Sequence, residues 1–346
     1  MSVGQRILFS SSDFRQRGEV VSRWLNDLNK ELTPQITRPE LVLDLFAGCG
    51  GLALGFESAG FETLGMEMDP NAAATYNKNL IGECRQVKLN EETVFPRADI
   101  VIGGPPCQPF SVGGLQSGVD DVRNGFPAFI SAVAQVKPKL FLFENVRGLL
   151  YKNKSYFDSV LSDLGSLGYK IDFKLLNASK YGVPQNRERV IVVGHMSEWT
   201  WPDEAVQIAT VGDAIGDLIE VTNPDDRFLT ASQDAYIKKY EDASKCVNPR
   251  DLYLDRPART LTCRNLAGAT GDMHRVKLKN GKRRRINVRE AARLQSFPDS
   301  FEFAGSSDSA FNQIGNAVPP LFAKNIANSV SALLDNVATE QLLKMA

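Results

Sequence analysis

The chain has 346 residues, of which 43% are hydrophobic and 23% are charged, and its formal net charge at pH 7 is −1. These values are ordinary for a soluble globular protein and allow one large domain, or a large domain with a smaller one. No apolar run approaches the roughly 18 residues that a membrane span needs, and residues 1–9 lack the pattern of a secretory signal. The sequence therefore predicts a cytoplasmic protein without membrane association.

The five cysteines are odd in number and form no C-x-x-C pair. A disulfide framework uses an even number of cysteines, and structural zinc sites usually contain such pairs. The cysteine pattern therefore indicates a reducing compartment and predicts no metal site.

The small net charge conceals a basic segment between Arg250 and Arg293. This segment contains thirteen Lys or Arg residues against four Asp or Glu residues, so it carries +9 and the rest of the chain carries −10. A compact basic segment on an otherwise acidic protein is typical of binding to a phosphate-rich partner. A solvated charged face is the alternative, which the dense run of basic residues at 282–285 makes less favoured.

The first predicted elements are a helix, a strand and a glycine loop. Apolar residues recur at helical spacing from Glu19 to Leu32, within an N-terminal extension of residues 1–38. We expect this helix to pack on the domain edge, and we assign it no function. An apolar strand, Leu41 to Phe46, then leads through a glycine loop into a helix, Leu52 to Ala59. This order opens a nucleotide-binding doubly wound sheet, although a tight strand-to-helix turn gives the same pattern.

The second strand, Phe61 to Met66, is followed by Glu67, 19 residues after Gly48. A carboxylate at that position can accept hydrogen bonds from the ribose hydroxyls of an adenosine. The next predicted elements are helices at 71–79, 126–136 and 156–167, strands at 86–89, 100–102 and 140–143, and a mobile loop of lid type at 111–125.

Two further strands, Tyr169 to Leu176 and Val190 to Val193, are joined by a connection without a helical pattern. That connection predicts an antiparallel hairpin. Arg187 and Arg189 would then lie on the edge of the sheet where Glu144 follows its strand, and both would point to one face. Taken separately, Glu144 is also explained as a helix-capping acid and the arginines as a solvated pair.

The segment Gly103 to Ser111 reads Gly-Gly-Pro-Pro-Cys-Gln-Pro-Phe-Ser and follows a buried strand. Its glycines and prolines would hold Cys107 on a rigid loop at the mouth of the sheet. A thiol in that place suits nucleophilic attack. A turn whose cysteine merely packs is the alternative for a lone cysteine. Glu144, Arg187 and Arg189 at the same edge favour an active site.

These motifs, in this order, resemble those of the DNA (cytosine-5)-methyltransferases along most of the chain. The matching segments are 44–51, 104–111, 144–146, 185–189, 289–298 and 315–318. The resemblance implies S-adenosyl-L-methionine-dependent methylation of carbon 5 of a cytosine in double-stranded DNA. It also implies a class I methyltransferase fold of the α/β class. This fold is a doubly wound, mostly parallel sheet with an antiparallel hairpin, plus a smaller, mainly β or irregular recognition domain.

The resemblance implies a role for each residue at the predicted active site. Cys107 would add to carbon 6 of a flipped-out cytosine, and Glu144 would supply a proton or hydrogen bond at N3. Arg187 and Arg189 would hold the carbonyl oxygen, orient the carboxylate and favour the thiolate. The implied cofactor-binding residues are Phe46, Gly48, Gly50, Gly51, Glu67, Met68, Asn90, Pro106, Asn316 and Val318. The family usually has an acidic residue after the third strand; here only Asn90 or Glu91 could replace it.

The resemblance also divides the chain into four parts. These are an N-terminal helical extension (1–38), a catalytic and cofactor-binding domain (39–195), a target-recognition domain (196–287) and a C-terminal segment that returns to the catalytic domain (288–346). Side chains of the recognition domain would contact base edges, and its lysines would grip phosphate. The predicted DNA-contacting residues are Ser111, Arg123, Arg259, Arg264, Asn265, Arg283, Arg284 and Arg285.

A chain of this family with no large regulatory extension resembles a bacterial modification enzyme, which is often the partner of a restriction endonuclease. We expect it to act as a monomer. Three alternatives stay open at this point. The first is an RNA cytosine-5 methyltransferase of the same architecture, and the second is a DNA-binding relative without catalytic activity. The third, a nicotinamide-dependent oxidoreductase, does not explain the cysteine loop.

Overall fold

A computed structural model of the chain describes residues 22–106, 124–224, 226–243, 245, 251–268 and 272–345. Cys107, Ser111 and Arg123, for which the sequence predicted roles at the active site, lie outside the described residues.

The strands of the described chain are numbered in order. They are β1 (Leu41–Leu45), β2 (Glu62–Glu67), β3 (Glu83–Gln86), β4 (Ile100–Gly103), β5 (Leu140–Val146), β6 (Lys170–Asn177), β7 (Gln185–Asn186), β8 (Glu188–His195), β9 (Ala258–Arg259), β10 (Arg275–Lys277) and β11 (Arg283–Arg285).

A seven-stranded sheet with the order β3-β2-β1-β4-β5-β8-β6 forms the centre of the molecule. The first five strands in this order are parallel to one another, whereas β8 is antiparallel to both of its neighbours. The predicted mostly parallel sheet with an antiparallel hairpin is therefore confirmed. Two short pairs, β10 with β11 and β7 with β9, lie outside this sheet.

Burial on both faces explains why the central strands are nearly continuous apolar runs. In β4 and β5 every residue except Val146 is buried. The third strand was predicted at 86–89 but lies at 83–86, because it is an edge strand with one buried residue and no apolar run to mark it. β5 also continues past the predicted end at Phe143, so Glu144 lies within the strand and not after it.

The helices of the described residues are likewise numbered in order. They are α1 (Arg23–Glu31), α2 (Gly51–Glu57), α3 (Pro70–Asn79), α4 (Phe126–Val136), α5 (Lys154–Ser166), α6 (Val211–Ile215), α7 (Ala231–Ala243), α8 (Cys263–Ala267), α9 (Val288–Leu294), α10 (Ser307–Asn316) and α11 (Pro320–Met345).

Helix starts follow ordinary capping chemistry. The Asp69 side chain accepts a hydrogen bond from the Ala72 N–H, and Pro70 occupies the first turn of α3, where its missing N–H costs nothing. Ser22 caps α1 in the same manner through the Leu25 N–H. Asn287 and Glu290 form a reciprocal capping box at the start of α9.

Helix α1 packs on the domain edge, as its amphipathic pattern predicted. Its Leu25 and Leu28 are buried. The indole Nε1 of Trp24 donates to the Gly182 carbonyl at 2.8 Å, and the Asn29 amide oxygen accepts from the Asp299 N–H at 2.8 Å. The helix therefore joins the connection between β6 and β7 to the C-terminal part of the chain.

One hydrophobic cluster crosses the predicted domain boundaries, and we call it the shared cluster. It contains Cys49, Ala53 and Leu54 beside the glycine loop, and Tyr76 of α3. Residues of α6, of the 258–266 region, of α9 and of α10 pack into the same cluster. The predicted recognition domain therefore shares one hydrophobic cluster with the elements of the predicted cofactor motif.

None of the described helices has the length and apolar composition needed to cross a membrane. Within the same described ranges, His, Cys, Asp and Glu side chains form no group of three or more that could hold a metal ion.

Candidate active site

The loop between β1 and α2 makes two left-handed turns. Gly48 and Gly50 have φ values of 55° and 87°, which glycine adopts without steric cost. Phe46 has a φ of 57°, where a residue with a side chain is strained by about 1–3 kcal/mol. A Cβ atom at Gly51 would lie 2.4 Å from the Val318 carbonyl oxygen, so glycine at this position allows α2 to start against the C-terminal segment.

The Glu67 carboxylate is held beside this loop at the carboxyl end of β2. Its Oε2 accepts a hydrogen bond from the Gly48 N–H at 2.8 Å. Its Oε1 accepts from the N–H groups of Met68 and Asp69, both at 2.8 Å. The half-buried carboxylate is thus fixed by backbone amides, at the edge where parallel α/β sheets bind ligands.

Asp44 lies below the glycine loop and was not predicted as a site residue. Its side chain is 1% exposed, and its Oδ2 has no hydrogen-bond partner among the described residues. Burial, and secondarily the charge of Glu67, raises the pKa of Asp44 well above its usual range. The available sequence signal was a single carboxylate that interrupts the apolar strand β1.

The predicted pairing of Glu144 with an arginine is present. Arg189 Nε lies 2.6 Å from Glu144 Oε1, across the antiparallel β5–β8 ladder. Both side chains are largely buried, with 12% and 11% of their surfaces exposed. A charge-assisted contact of this kind fixes the orientation of the carboxylate.

The segment that precedes Cys107 lies next to this ion pair. A Cβ atom at Gly104 would lie 3.8 Å from Glu144 Oε2. The Asn145 amide donates to the Pro105 carbonyl at 3.0 Å, and the Pro106 carbonyl accepts from the Gly125 N–H at 3.0 Å. Residues 104–106 are therefore held against the Glu144 edge of the sheet.

Arg187 is placed differently from Arg189. It is 2% exposed, and its guanidinium donates to three backbone carbonyl oxygens, those of Leu261 (2.8 Å), Gly315 (3.2 Å) and Ala317 (3.0 Å). Burial, together with the nearby charge of Arg189, lowers the pKa of Arg187 to about 9. The two arginines were predicted to act together on the substrate, but the hydrogen bonds of Arg187 go to backbone.

The remaining predicted cofactor residues lie at three places in the chain. Asn316 is exposed at the end of α10, where the Cys263 thiol donates to its Oδ1 at 2.9 Å, and Val318 beside it is buried. Met68 is 63% exposed next to Glu67. The Asn90 side-chain oxygen accepts from the Glu92 N–H at 3.1 Å, which makes a local turn.

The structure corrects the prediction for Arg284. This side chain is 0% exposed and forms a bidentate ion pair with the equally buried Glu290. Its Nη1 donates to Oε2 at 2.8 Å and its Nη2 donates to Oε1 at 2.7 Å. It also donates to the carbonyls of Leu218 and Ile219. A guanidinium enclosed in this way is not available to a DNA phosphate.

Asn265 is also used internally. It is 4% exposed and closes the capping box at the start of α8, where its Oδ1 accepts from the Thr262 N–H at 2.8 Å. Its Nδ2 donates to the Thr260 carbonyl at 2.9 Å. Both hydrogen-bonding groups of the amide are therefore occupied, and the predicted bidentate contact with a base requires α8 to rearrange.

Three further predicted DNA residues have partners within the protein. Arg283 contacts Asp251 at 2.9 Å, Arg285 donates to the Leu266 carbonyl at 2.9 Å, and the guanidinium of Arg259 lies 3.4 Å from the Asp272 carboxylate. Arg264 Nε lies 3.9 Å from the same Asp272 carboxylate, but 83% of the Arg264 side chain is exposed. Three lysines of the basic segment are exposed as well, at positions 277, 279 and 282.

The family model of C-5 cytosine-specific DNA methylases matches residues 41–332. The chain is 55% identical over 313 residues to the type II methyltransferase M.AplI of Arthrospira platensis, covering 89% of each protein. It is 34% identical over 326 residues to the type II methyltransferase M1.HphI of Haemophilus parahaemolyticus, covering 85% of this chain and 87% of that one.

A solved structure has the same fold. The Entamoeba histolytica methyltransferase EhMeth superposes with a TM-score of 0.68 at 17% identity, covering 86% of this chain and 99% of that one. The ordered motifs, the mostly parallel sheet with its antiparallel hairpin and the Glu144–Arg189 pair agree with the family match. The chain therefore belongs to the C-5 cytosine-specific DNA methylases and is a DNA (cytosine-5)-methyltransferase.

Proposed function

We propose that this protein methylates carbon 5 of a cytosine within a specific double-stranded DNA sequence, through a covalent adduct of Cys107 and with S-adenosyl-L-methionine as methyl donor. The observation that carries the proposal is the Glu144–Arg189 pair, with 2.6 Å between Nε and Oε1, next to residues 104–106. These three residues lead directly into Cys107 in the chain.

The residues around the glycine loop fit this cofactor. A Cβ atom at Gly48 would meet no described atom within 4 Å, so there is open space over the loop. Glu67 offers a carboxylate for the ribose hydroxyls, and Phe46 an aromatic face for the adenosine. The Glu67 carboxylate beside the loop suits a ligand that carries positive charge. The exposed Asn316 amide and Val318 would border the same space, with Gly50, Gly51, Met68, Asn90 and Pro106.

The chemistry follows from the electrophilic character of carbon 6 of cytosine. Addition of the Cys107 thiolate there forms a sulfur–carbon bond and makes carbon 5 nucleophilic. S-adenosyl-L-methionine, when bound, supplies the methyl group that carbon 5 accepts. A base, for which a water molecule is a candidate, would then take the carbon-5 proton. The electrons of that C–H bond would restore the double bond between carbons 5 and 6, and the Cys107 thiolate would leave.

Glu144 and Arg189 serve the addition step. Negative charge develops on the ring as the thiolate adds, and a proton or hydrogen bond from Glu144 to N3 offsets it. Arg189 orients the Glu144 carboxyl and binds the carbonyl oxygen of the base. Arg187 contributes a buried positive charge nearby, since its hydrogen bonds go to backbone carbonyls.

The target base must leave the duplex to reach this edge. Glu144 is 9% exposed, and a stacked cytosine cannot approach a carboxyl at that depth, so we propose base flipping. Ser111 and Arg123 stay candidates for contacts to the displaced strand. Arg264 is the exposed candidate for base contact, and Lys277, Lys279 and Lys282 are candidates for phosphate contact.

The two relatives reported above are named type II methyltransferases. On that likeness we propose that this protein acts in a bacterial cytoplasm, as a monomer, and protects DNA from a restriction endonuclease of matching specificity.

Transfer of a labelled methyl group tests the proposal. Wild-type protein should label unmethylated duplex DNA, and bisulfite sequencing should place the label at cytosines of one short sequence. Cys107→Ala should abolish transfer and retain DNA binding, because only the nucleophile is lost. Cys84→Ala, which removes a buried thiol from the edge of the shared cluster, is the matched control and should retain activity. Equal transfer by Cys107→Ala, or label on transfer RNA and not on DNA, would refute the proposal.

A further inference from the structure

Three buried polar side chains meet where the catalytic edge, the recognition region and the C-terminal segment join. Gln185 and Gln295 are 0% exposed and Arg187 is 2% exposed. Gln185 donates to the side-chain oxygen of Gln295. We call these three residues the junction. Buried polar groups of this kind fix one arrangement of the elements that they connect.

The first arm of the junction holds the recognition region. The Leu261 N–H donates to Gln185 Oε1 at 2.8 Å, and the Leu261 carbonyl accepts from Arg187 Nη1 at 2.8 Å. Both backbone groups of Leu261 are therefore bonded to side chains, those of Gln185 in β7 and of Arg187 directly after it. The parallel pairing of β7 with β9 and the Thr260 hydroxyl, which donates to the Asn186 carbonyl at 2.7 Å, continue the same attachment.

The second arm holds the turn that carries Asn316 and Val318. Gln295 Nε2 donates to the carbonyls of Ile314 at 3.0 Å and Ala317 at 2.7 Å. Arg187 Nη2 donates to the carbonyls on either side of Asn316, those of Gly315 and Ala317. Arg187 is thus the side chain of the junction that bonds to both arms.

The two arms also touch each other. A Cβ atom at Gly315 would lie 2.4 Å from the Cys263 backbone nitrogen, so the end of α10 packs directly on the start of α8. A shift of the recognition region would therefore be transmitted to the turn at 315–318.

We propose that the junction positions the recognition region and the cofactor-binding turn relative to the Glu144–Arg189 pair. Gln185 serves the DNA side, Gln295 serves the cofactor side, and Arg187 couples them. All three are positioning residues, since their hydrogen bonds in this structure go to backbone and to each other. The inference rests on the proposed function, because it takes DNA and S-adenosyl-L-methionine as the two ligands.

Two binding measurements on matched variants test the proposal. The first is the dissociation constant of S-adenosylhomocysteine, measured by calorimetry without DNA. The second is the KM for unmethylated phage lambda DNA in the labelled-methyl assay. Gln185→Met removes three hydrogen bonds, one of which holds the recognition region through the Leu261 N–H. Loss of that one bond should raise the KM for DNA about tenfold and leave the affinity for S-adenosylhomocysteine within about twofold. Gln295→Met should instead weaken the binding of S-adenosylhomocysteine about tenfold and leave the KM for DNA within about twofold.

Arg187→Lys keeps the positive charge and loses the planar fork, so it should weaken both ligands. Gln313→Met is the control for loss of a buried glutamine, because Gln313 lies on α10 and bonds to Thr75 and Ala304, outside the junction. It should lower the melting temperature and leave both constants near wild type. If a methionine variant does not fold, Gln185→Asn and Gln295→Asn, which keep the amide, replace it.

Equal changes of both constants in the two glutamine variants, or no change in either, would overturn the proposal. Failure of the proposed function gives a different result, because wild-type protein would then transfer no methyl group to DNA. In that case, an unchanged affinity for S-adenosylhomocysteine in Gln295→Met would still refute the cofactor half of the junction.

Discussion

The catalytic edge and the basic segment both pair arginines with carboxylates, but in different surroundings. At the catalytic edge, Arg189 contacts one carboxylate that lies beside the segment leading to Cys107. In the basic segment, Arg284 is fully enclosed with Glu290, and Arg275 and Arg283 pair with Asp251. The density of positive charge along a sequence thus does not show which charges reach the surface. A motif whose residues meet on one sheet edge is the more reliable sign of a site.

The largest effect is expected at the catalytic edge. Glu144→Gln replaces the carboxyl that acts at N3 in the proposed addition step but keeps a side chain of nearly the same shape. We expect kcat to fall about 10²- to 10⁴-fold, the usual range for loss of general acid–base catalysis. Single-turnover transfer of labelled methyl groups measures this. Activity within threefold of wild type would show that the Glu144–Arg189 pair is only structural.

The buried pair in the basic segment should instead control stability. Arg284→Met leaves Glu290 buried without its partner, and we expect the free energy of unfolding to fall by about 3–5 kcal/mol. Urea denaturation of the protein without ligands measures the change. Arg264→Met is the matched control: its side chain is 83% exposed, so stability should change by less than about 0.5 kcal/mol. Similar losses in both variants would contradict the distinction between enclosed and exposed arginines.

The exposed lysines of the same segment should act on DNA binding alone. Removing one phosphate contact, for example by Lys279→Ala, should make the negative slope of log K against log salt shallower by about 0.9. Glu220 accepts a hydrogen bond from the backbone N–H of Lys279, so the substitution keeps that contact. Filter binding at several salt concentrations gives the slope. An unchanged slope for Lys277, Lys279 and Lys282 variants would exclude the antiparallel pair of β10 and β11 from the DNA interface.

The smallest effect concerns the pH dependence of folding. Burial raises the pKa of Asp44, so the folded protein keeps a proton there that the unfolded chain releases. Stability should therefore fall as pH rises above the ordinary aspartate range, and Asp44→Asn should remove this contribution. The stability of the variant relative to wild type should increase between pH 5 and pH 8 in urea denaturation without ligand. A constant difference across that range would show that Asp44 is ionised in the folded state.

The sequence predicted the sheet and the meeting of Arg189 with Glu144, because both depend on local patterns. Apolar strands marked β1, β4 and β5, and a short connection marked the antiparallel pair that brings Arg189 to Glu144. The third strand was misplaced because it is a polar edge strand. The roles of Gln185, Gln295 and Gly315 were not predicted, since their partners lie far away in the chain and no local pattern reveals them.

Charge posed a different difficulty. The acidic partners of Arg283 and Arg284 include Asp234, before the basic segment, and Glu290, within it. A sequence window counts such residues as separate charges, although folding joins them into neutral pairs. Burial of the arginine and its partner decides the outcome, and burial depends on tertiary packing.

The shared cluster has a practical consequence for attempts to change the specificity of this enzyme. Side chains of α6 and of the 258–266 region belong to the same hydrophobic cluster as Leu54 and Tyr76, close to the glycine loop. A chimera that imports residues 196–287 from a relative would bring a foreign inner face to this contact. Such exchanges should succeed only when the inward-facing residues of the host are kept and the graft is confined to the outer surface.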